Sequence, residues 1–411
     1  MKIIFFLENN SNGGMDSFVA NLINNWPDQK DKFCLICNNS HPGLPNLKSS
    51  INVECEFIDH EIATASSVTE YFLGFFPAQI KRLFRPLIKI LLYPYQFKKI
   101  SFLFSSIGGD RLMSINGAYP GGETCRIANI AWNKLGRGLS VHNIHNFAIP
   151  PRLFVGWYEN WIDLKLEKSV SSFVGVSKCC ASSLKKRPRL INSSKIKFIY
   201  NGVTKPDVNI IKTDLRESLN IKNSPMCLML ANYESRKGHA FLFESFKLVN
   251  QKFPNAHLVI CGDSVPSAKH DVQKKLSKIA PHSNVHLLDF IPGGSSLISQ
   301  ADVLLVASQE MESFGLTVAE SMIRGVPVVS TNVGGLAEVV GKNGEAGFSI
   351  KPDDVSQFAN AIISLFEDSK LRSSIIEKGL QRVNKKFTIE RMAEEYKEII
   401  CKNKISIDNN R

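Results

Sequence analysis

Ser308–Val340 reads SQEMESFGLTVAESMIRGVPVVSTNVGGLAEVV. The apolar run Ala301–Ala307 (ADVLLVA) leads into it as a buried parallel strand. A polar turn and Gly315 come next, then Leu316, Val318, Ala319, Met322 and Ile323 at helical spacing. Gly325 closes that helix, and Val326–Val329 restart an apolar strand. Gly334-Gly335 then lead to Glu338 and a further helical segment. Strand, loop, helix, strand is the order of an α/β fold. It sets Glu312, Phe314 and Gly315 at the C-terminal edge of a sheet, where open α/β sheets bind ligands.

Glu312 and Glu320 stand eight residues apart across this loop and helix. With the helix starting near Gly315, Glu312 lies before the first turn and Glu320 about one and a half turns inside it. The first can approach sugar hydroxyls and the second a ribose, while the N–H groups at the helix start face a phosphate. The string resembles the Glu-x7-Glu motif of retaining glycosyltransferases of the GT-B fold, the family 4 group (glycosyltransferases group 1). The shared residues are S-x-x-x-E-x-F-G, the A-E, G-V-P-V-V-S-T and V-G-G-x-x-E-V-V.

A chain of 411 residues exceeds what one core usually holds, so two domains are expected. Hydrophobic content of 44% with 21% charged residues is that of a soluble globular protein. Nine scattered cysteines make no disulfide framework and point to a reduced, cytosolic protein. Cys34 and Cys37 have metal or redox spacing, yet FCLIC is strand-like with no second pair, so both read as core. His282 and His286 flank a turn, not a helix carrying two ligands. Met1–Leu7 (MKIIFFL) is too short for a signal peptide and suits a first buried strand. No run is long enough to span a bilayer. The net charge of +12 favours an anionic partner.

In chain order, Lys2–Leu7, the turn Glu8–Gly14 and a helix with Met15, Phe18, Val19, Leu22 and Ile23 form a strand–glycine turn–helix arrangement that can cradle phosphate. The resemblance implies that Gly14 approaches a donor diphosphate. Phe33–Cys37, Val53–Ile58 and Arg111–Ile115 read as strands and Ile127–Leu135 as a helix. Ile80–Ile100 carries Lys81, Arg82, Arg85, Lys89, Lys98 and Lys99 among apolar residues, with no acid, and Pro86 and Pro94 break it into short pieces. It reads as a basic amphipathic surface for an anionic membrane, against a core-packing helix with an exposed basic side. No motif for nucleic acid accompanies the charge, and none is expected to bind.

Leu139–Asn146 ends a strand at His145-Asn146, and in the family a strand-end histidine lines the active cleft near the donor sugar. His145 fits that place; His142 is the alternative, and strand alternation sends it to the other side. Val170–Val176 and Ile196–Tyr200 are further strands, and Asn201-Gly202-Val203 matches the I-x-N-G-V that closes the family's first domain. Thr204–Asn209, with Pro206, reads as a hinge. Met226–Ala231 opens the second domain. Arg236-Lys237-Gly238-His239 resembles the family's donor-diphosphate site, where fixed cations stabilise the departing nucleoside diphosphate. Ala231-Asn232 stands where the family commonly has Gly-Arg. The arginine role then falls on Arg236, or one contact is missing. Val285–Ile291 is the strand whose exit, Phe290 and Ile291, holds the nucleobase in the family; core packing of Phe290 is the plain alternative. Val355–Phe366 and Glu390–Cys401 are helices, and the polar tail after Lys402 frays.

The resemblance therefore implies an α/β protein of GT-B architecture, two Rossmann-like domains facing each other across a cleft. An acceptor-side domain would cover 1–203, a nucleotide-sugar domain 204–389, and 390–411 would cross back to the first domain. The implied reaction moves a sugar, from a UDP-sugar by family habit, to an acceptor hydroxyl with retention of configuration. In it Glu320 takes ribose hydroxyls, Glu312 the sugar ring, Arg236 and Lys237 the diphosphate, backbone N–H groups of Phe314, Gly315 and Leu316 an oxygen, and His145 the sugar. No cofactor and no metal are expected. The basic stretch suggests a lipid-linked, lipopolysaccharide or capsule saccharide as acceptor, and a cytoplasmic protein peripheral to the inner membrane. A sugar-nucleotide epimerase of the same fold, a non-catalytic nucleotide-sugar binder and a nucleic-acid binder are the competing classes.

Overall fold

A computed structural model describes residues 1–10, 13–205, 213–263, 266–280, 284–291, 293–341 and 344–402. Ser11-Asn12 of the first glycine turn, 206–209 of the expected hinge, His282, Pro292 and the tail from 403 onward lie outside them. The chain forms two compact units, Met1–Gly202 with Ile389–Arg411, and Val203–Thr388.

The first unit strings together β1 (Lys2–Leu7), α1 (Gly14–Asn24), β2 (Lys32–Asn38), α2 (Leu44–Ser50), β3 (Cys55–His60), α3 (Ala65–Leu73) and α4 (Ala78–Ile107). It continues with β4 (Arg111–Asn116), α5 (Glu123–Lys134), β5 (Ser140–Ile144), α6 (Gly156–Ser169), β6 (Val170–Gly175), α7 (Lys178–Ser183) and β7 (Ile196–Phe198). The parallel sheet runs β3-β2-β1-β4-β5-β6-β7, so the strand order reverses between β1 and β4. Strands such as KIIFFL are apolar on both faces because helices cover both. Cys34 and Cys37 are buried on β2, and burial pushes both thiols up to about 12, which leaves them inert core groups.

The second unit contains α8 (Leu215–Ser218), β8 (Met226–Leu230), α9 (His239–Lys252), β9 (His257–Cys261), α10 (Pro266–Ile279), β10 (Val285–Leu288) and β11 (Val303–Val306). After these come α11 (Leu316–Ile323), β12 (Val328–Thr331), α12 (Leu336–Val340), β13 (Phe348–Ile350), α13 (Val355–Glu367) and α14 (Ser369–Lys386). Its parallel sheet is ordered β10-β9-β8-β11-β12-β13, with the reversal between β8 and β11. Asp354 and Asp368 cap α13 and α14 by accepting from the N–H groups of Gln357 and Leu371. The final helix, α15 (Ile389–Cys401), belongs to the first unit. Met392, Tyr396 and Ile400 enter that unit's core, and the Tyr396 hydroxyl accepts from Asn143 Nδ2 at 2.8 Å.

Several sequence expectations need correction. Pro86 and Pro94 do not break 80–100; both lie inside α4, one helix of 30 residues. A proline removes one donor and crowds one carbonyl, a local cost of about 3 kcal/mol, and here burial of Gln96, Ile100 and Phe104 holds the helix on the unit. Lys89 is not on a basic outer face. It turns inward towards Glu123, Arg126 and Glu8, and burial lowers its pKa. Strand β10 stops at Leu288, which leaves Asp289–Ile291 as loop, and β12 begins at Val328 because Val326 and Pro327 still belong to the turn. Helix α5 starts at Glu123, four residues before Ile127.

Candidate active site

Crevices form where strand order reverses, because successive connections leave towards opposite faces of the sheet. In the second unit the loops after β8 and β11 meet at that place. Gly238 has φ +74, and a Cβ on it would stand 1.9 Å from the carbonyl oxygen of Ala307, so only glycine lets the two loops approach. Gln309 N–H donates to the Arg236 carbonyl at 3.0 Å, and Gly335 N–H to the Glu312 carbonyl at 2.7 Å. Lys237, in a 3-10 turn over Ser235–Lys237, donates from Nζ to Glu312 Oε2 at 2.6 Å. Ser308 Oγ donates to the same oxygen at 3.2 Å. The carboxylate is thus fixed by one cation and one hydroxyl.

Gly315, with φ +102, caps α11, and a Cβ there would press to 2.6 Å from Leu336 Cδ2. It turns the first N–H groups of α11 out at the sheet edge, where helix geometry leaves them without an intrahelical partner. Phe314 is buried edge-on against Phe387, 5.6 Å between centroids, and anchors the loop. Glu320 lies further along α11. Burial raises its pKa, Arg324 opposes that rise, and no donor among the described residues hydrogen-bonds its carboxylate. Arg324 spends its guanidinium on the Glu320 carbonyl at 2.9 Å and on Ser295 Oγ at 3.4 Å. Sequence reasoning passed over Arg324, although its place four residues after Glu320 marks it as a helix neighbour.

Arg236 does not join Lys237. Consecutive residues of a 3-10 turn diverge by about 120°. Arg236 Nε instead meets Glu234 Oε2 at 2.6 Å, and the side chain lines a separate cavity of about 720 Å³ with Tyr233, His239, Asp271 and Gln309. Phe290 projects from the loop after β10 at 54% exposure, which rules out core packing, and Ile291 beside it is half-buried. His286 on the edge strand β10 pairs with His257 on its neighbour β9, ring nitrogens 3.0 Å apart.

The first unit has its own crevice at the β1/β4 reversal. Glu8, at the end of β1, accepts from Thr124 N–H at 2.8 Å and Thr124 Oγ1 at 2.6 Å, and burial raises its pKa. Arg126, two residues further along α5, is buried over the Tyr119 ring, with Nε and one terminal nitrogen without a hydrogen-bond partner among the described residues. Neither residue was legible as a site, because Glu8 and Thr124 are 116 positions apart. His145 follows β5. Its N–H donates to the carbonyls of Asn116 and Gly117, its ring meets Phe18 edge-on at 4.4 Å, and its buried Nε2 has no partner among the described residues. Burial pushes its pKa down to about 3, so the ring is neutral. His142 points to the other side, as alternation requires. It sits between Tyr119 and Phe173 with Nδ1 2.7 Å from Ser114 Oγ, a core residue. Gly14 is the exposed first residue of α1.

Residues 211–382 match the family described as "Glycosyl transferases group 1". The chain is 24% identical over 277 residues to the uncharacterized glycosyltransferase MJ1607 of Methanocaldococcus jannaschii, covering 66% of this chain and 67% of that one. It is 41% identical over 91 residues to the lipopolysaccharide core biosynthesis mannosyltransferase LpsB of Rhizobium meliloti, 22% of this chain and 26% of that one. For most curated relatives the match spans about half their length or less. Among solved structures, Anabaena Alr3699/HepE in complex with UDP and glucose superposes with a TM-score of 0.72 at 17% identity, covering 98% of this chain and 99% of that one. That likeness identifies the fold: both units are those of a GT-B protein.

Proposed function

We propose that this chain, whose residues 211–382 match the family described as "Glycosyl transferases group 1", is a retaining glycosyltransferase of family 4 that uses a nucleotide-sugar donor. The observation that carries the reading is the Lys237–Glu312 pair at the reversal of the second sheet, with the unpartnered Glu320 on the helix that follows. A nucleoside diphosphate needs that combination: a cation for the leaving phosphates and a carboxylate for the ribose hydroxyls. The exposed Phe290 offers a ring face to a base. UDP is the favoured nucleotide, since the Anabaena protein of the same fold is described with UDP and glucose.

In the proposed reaction the bond from the anomeric carbon to the diphosphate oxygen breaks, and the acceptor oxygen bonds to that carbon on the same face. The acceptor proton passes to the departing diphosphate. Glu312, already tied to Lys237, supports positive charge developing on the ring and need not act as nucleophile. Lys237 and the N–H groups at the start of α11 receive the charge on the leaving group. Arg236 contributes only by leaving Glu234. His145, neutral, can hydrogen-bond a substrate hydroxyl. No metal takes part in this proposal.

For the acceptor we propose a saccharide on a lipid carrier, lipopolysaccharide or capsule precursor, met at the cytoplasmic face of a membrane. Among the described residues no helix is long and apolar enough to cross one. The test is a thermal-shift screen against UDP, GDP, ADP, CMP and NAD⁺, followed by donor turnover in excess EDTA and assignment of the product anomer. A ligand at a hundredfold excess over its dissociation constant stabilises by about 2.7 kcal/mol. Stabilisation by one nucleoside diphosphate and a retained anomer are expected. Stabilisation by NAD⁺ alone, an inverted anomer, or activity lost in EDTA and restored by Mn²⁺ would each defeat part of the reading, and donor conversion without acceptor would mark an epimerase.

A further inference from the structure

Helix α4 carries two apolar faces. One is buried: Tyr93, Ile100 and Phe104 pack onto the first unit. The other is exposed: Phe84, Leu87, Leu91, Tyr95 and Phe102 repeat at intervals of three, four and seven residues. At about 100° per residue these side chains fall within about 80° of arc, opposite the buried set. An outward stripe of this kind does not arise from packing one helix on one core.

Neighbouring elements extend it. Tyr71, Phe72, Phe75 and Phe76 stand exposed at the α3–α4 turn, Phe75 completely so, and α3 is tied to α4 by Lys81–Glu70 at 2.7 Å. On the other flank the Tyr158 hydroxyl reaches the Lys89 carbonyl at 3.4 Å and Trp161 lies edge-on to Tyr93 at 5.0 Å. Leu153, Phe154 and Trp157, all exposed, lead into and open the helix that makes these contacts. So much exposed apolar surface on neighbouring elements marks a binding face. Its charge selects the partner. No acidic residue occurs in Ala78–Ile107, and Arg82, Lys98 and Lys99 are exposed without an ion pair among the described residues. A second copy of the same basic face would be repelled. Aromatic rings flanked by free cations match a bilayer of anionic lipid, rings at the acyl boundary and cations on the headgroups.

We infer that the α3–α4 turn, the outer stripe of α4 and the Leu153–Trp157 turn form one membrane-docking face for anionic lipid. The inference deepens the proposed lipid-borne acceptor by naming where the bilayer meets the protein, and its test does not use turnover. Full-length protein is sedimented with vesicles of phosphatidylcholine alone and with about a quarter phosphatidylglycerol. Binding is expected only to the anionic vesicles, falling as salt rises. Phe72→Ser with Phe75→Ser, and separately Arg82→Glu with Lys98→Glu and Lys99→Glu, should each weaken it about tenfold or more. All five positions are exposed, so the melting temperature and the shift with UDP serve as folding controls. No sedimentation with anionic vesicles, equal sedimentation with neutral ones, or folded variants that bind unchanged would overturn the inference. A dimer that the phenylalanine substitutions dissociate would also overturn it, in favour of a second copy. A nucleotide shift without vesicle binding would leave the glycosyltransferase reading standing alone.

Discussion

Lys237 Nζ donates to Glu312 Oε2 across 2.6 Å, joining the loop after β8 to the loop after β11. Arg236, next in the chain, faces the other way onto Glu234. The two cations should therefore contribute unequally. Lys237→Ala is expected to lower kcat/KM for the donor by about 10²–10³, and Arg236→Ala by less than about tenfold. Steady-state kinetics with both variants decide it; a larger loss at Arg236 would show that the turn rearranges around the diphosphate.

Glu320 ties donor affinity to pH. Burial raises its pKa, so the carboxylate takes up a proton as pH falls and, in its proposed role, would stop accepting ribose hydroxyls. UDP affinity should weaken as pH falls through that raised pKa, and Glu320→Gln should flatten the profile. The free protein has the opposite sign. Ionising Glu320 costs more when folded, so its share of stability is lost as pH rises through the raised pKa. Titration calorimetry across that transition gives the first, and a profile unchanged in the variant would sink the assignment.

His142 is one of the buried neutral histidines that set the acid stability of the first unit. Its pKa falls to about 3, chiefly by burial, so below about pH 6.5 the unfolded chain takes a proton that the folded one refuses. Stability is lost as pH drops through that window, by about 1.4 kcal/mol per pH unit for one proton. His142→Asn should reduce the slope of unfolding free energy against pH by about one proton. Denaturant titrations at several pH values measure it, and an unaltered slope would contradict the buried neutral ring.

Arg187 is fully buried, with Nε 2.8 Å from Asp163 and a terminal nitrogen 2.9 Å from Glu159, while the Tyr119 hydroxyl donates to Asp163 at 2.5 Å. Arg187→Ala would strand two carboxylates and should cost about 3–5 kcal/mol. Nucleotide binding to the second unit should survive in whatever fraction stays folded, as chemical denaturation read beside UDP binding would show.

What could be read in advance followed from local chemistry. Gly315 marked the start of α11 and set Glu312 ahead of it, because a glycine after a polar turn and before a helical period has few other uses. Alternation separated His142 from His145. Partners distant in sequence were not legible. Nothing near Glu8 announces Thr124, and nothing in a basic stretch tells which lysine turns inward, as Lys89 does. The prolines misled for a related reason: the rule that they end helices weighs only backbone terms, and at Pro86 and Pro94 tertiary burial decides.

The place of α15 bears on how the polypeptide is made. Tyr396 and Met392 complete the core of the first unit, yet they are translated after the whole of Val203–Thr388. On the ribosome the second unit can therefore finish folding while the first still lacks a helix and exposes Phe18 and its neighbours. The half begun first is the half closed last. A stalled or truncated product would carry an intact second unit beside an unfinished first, a species that chaperones would meet.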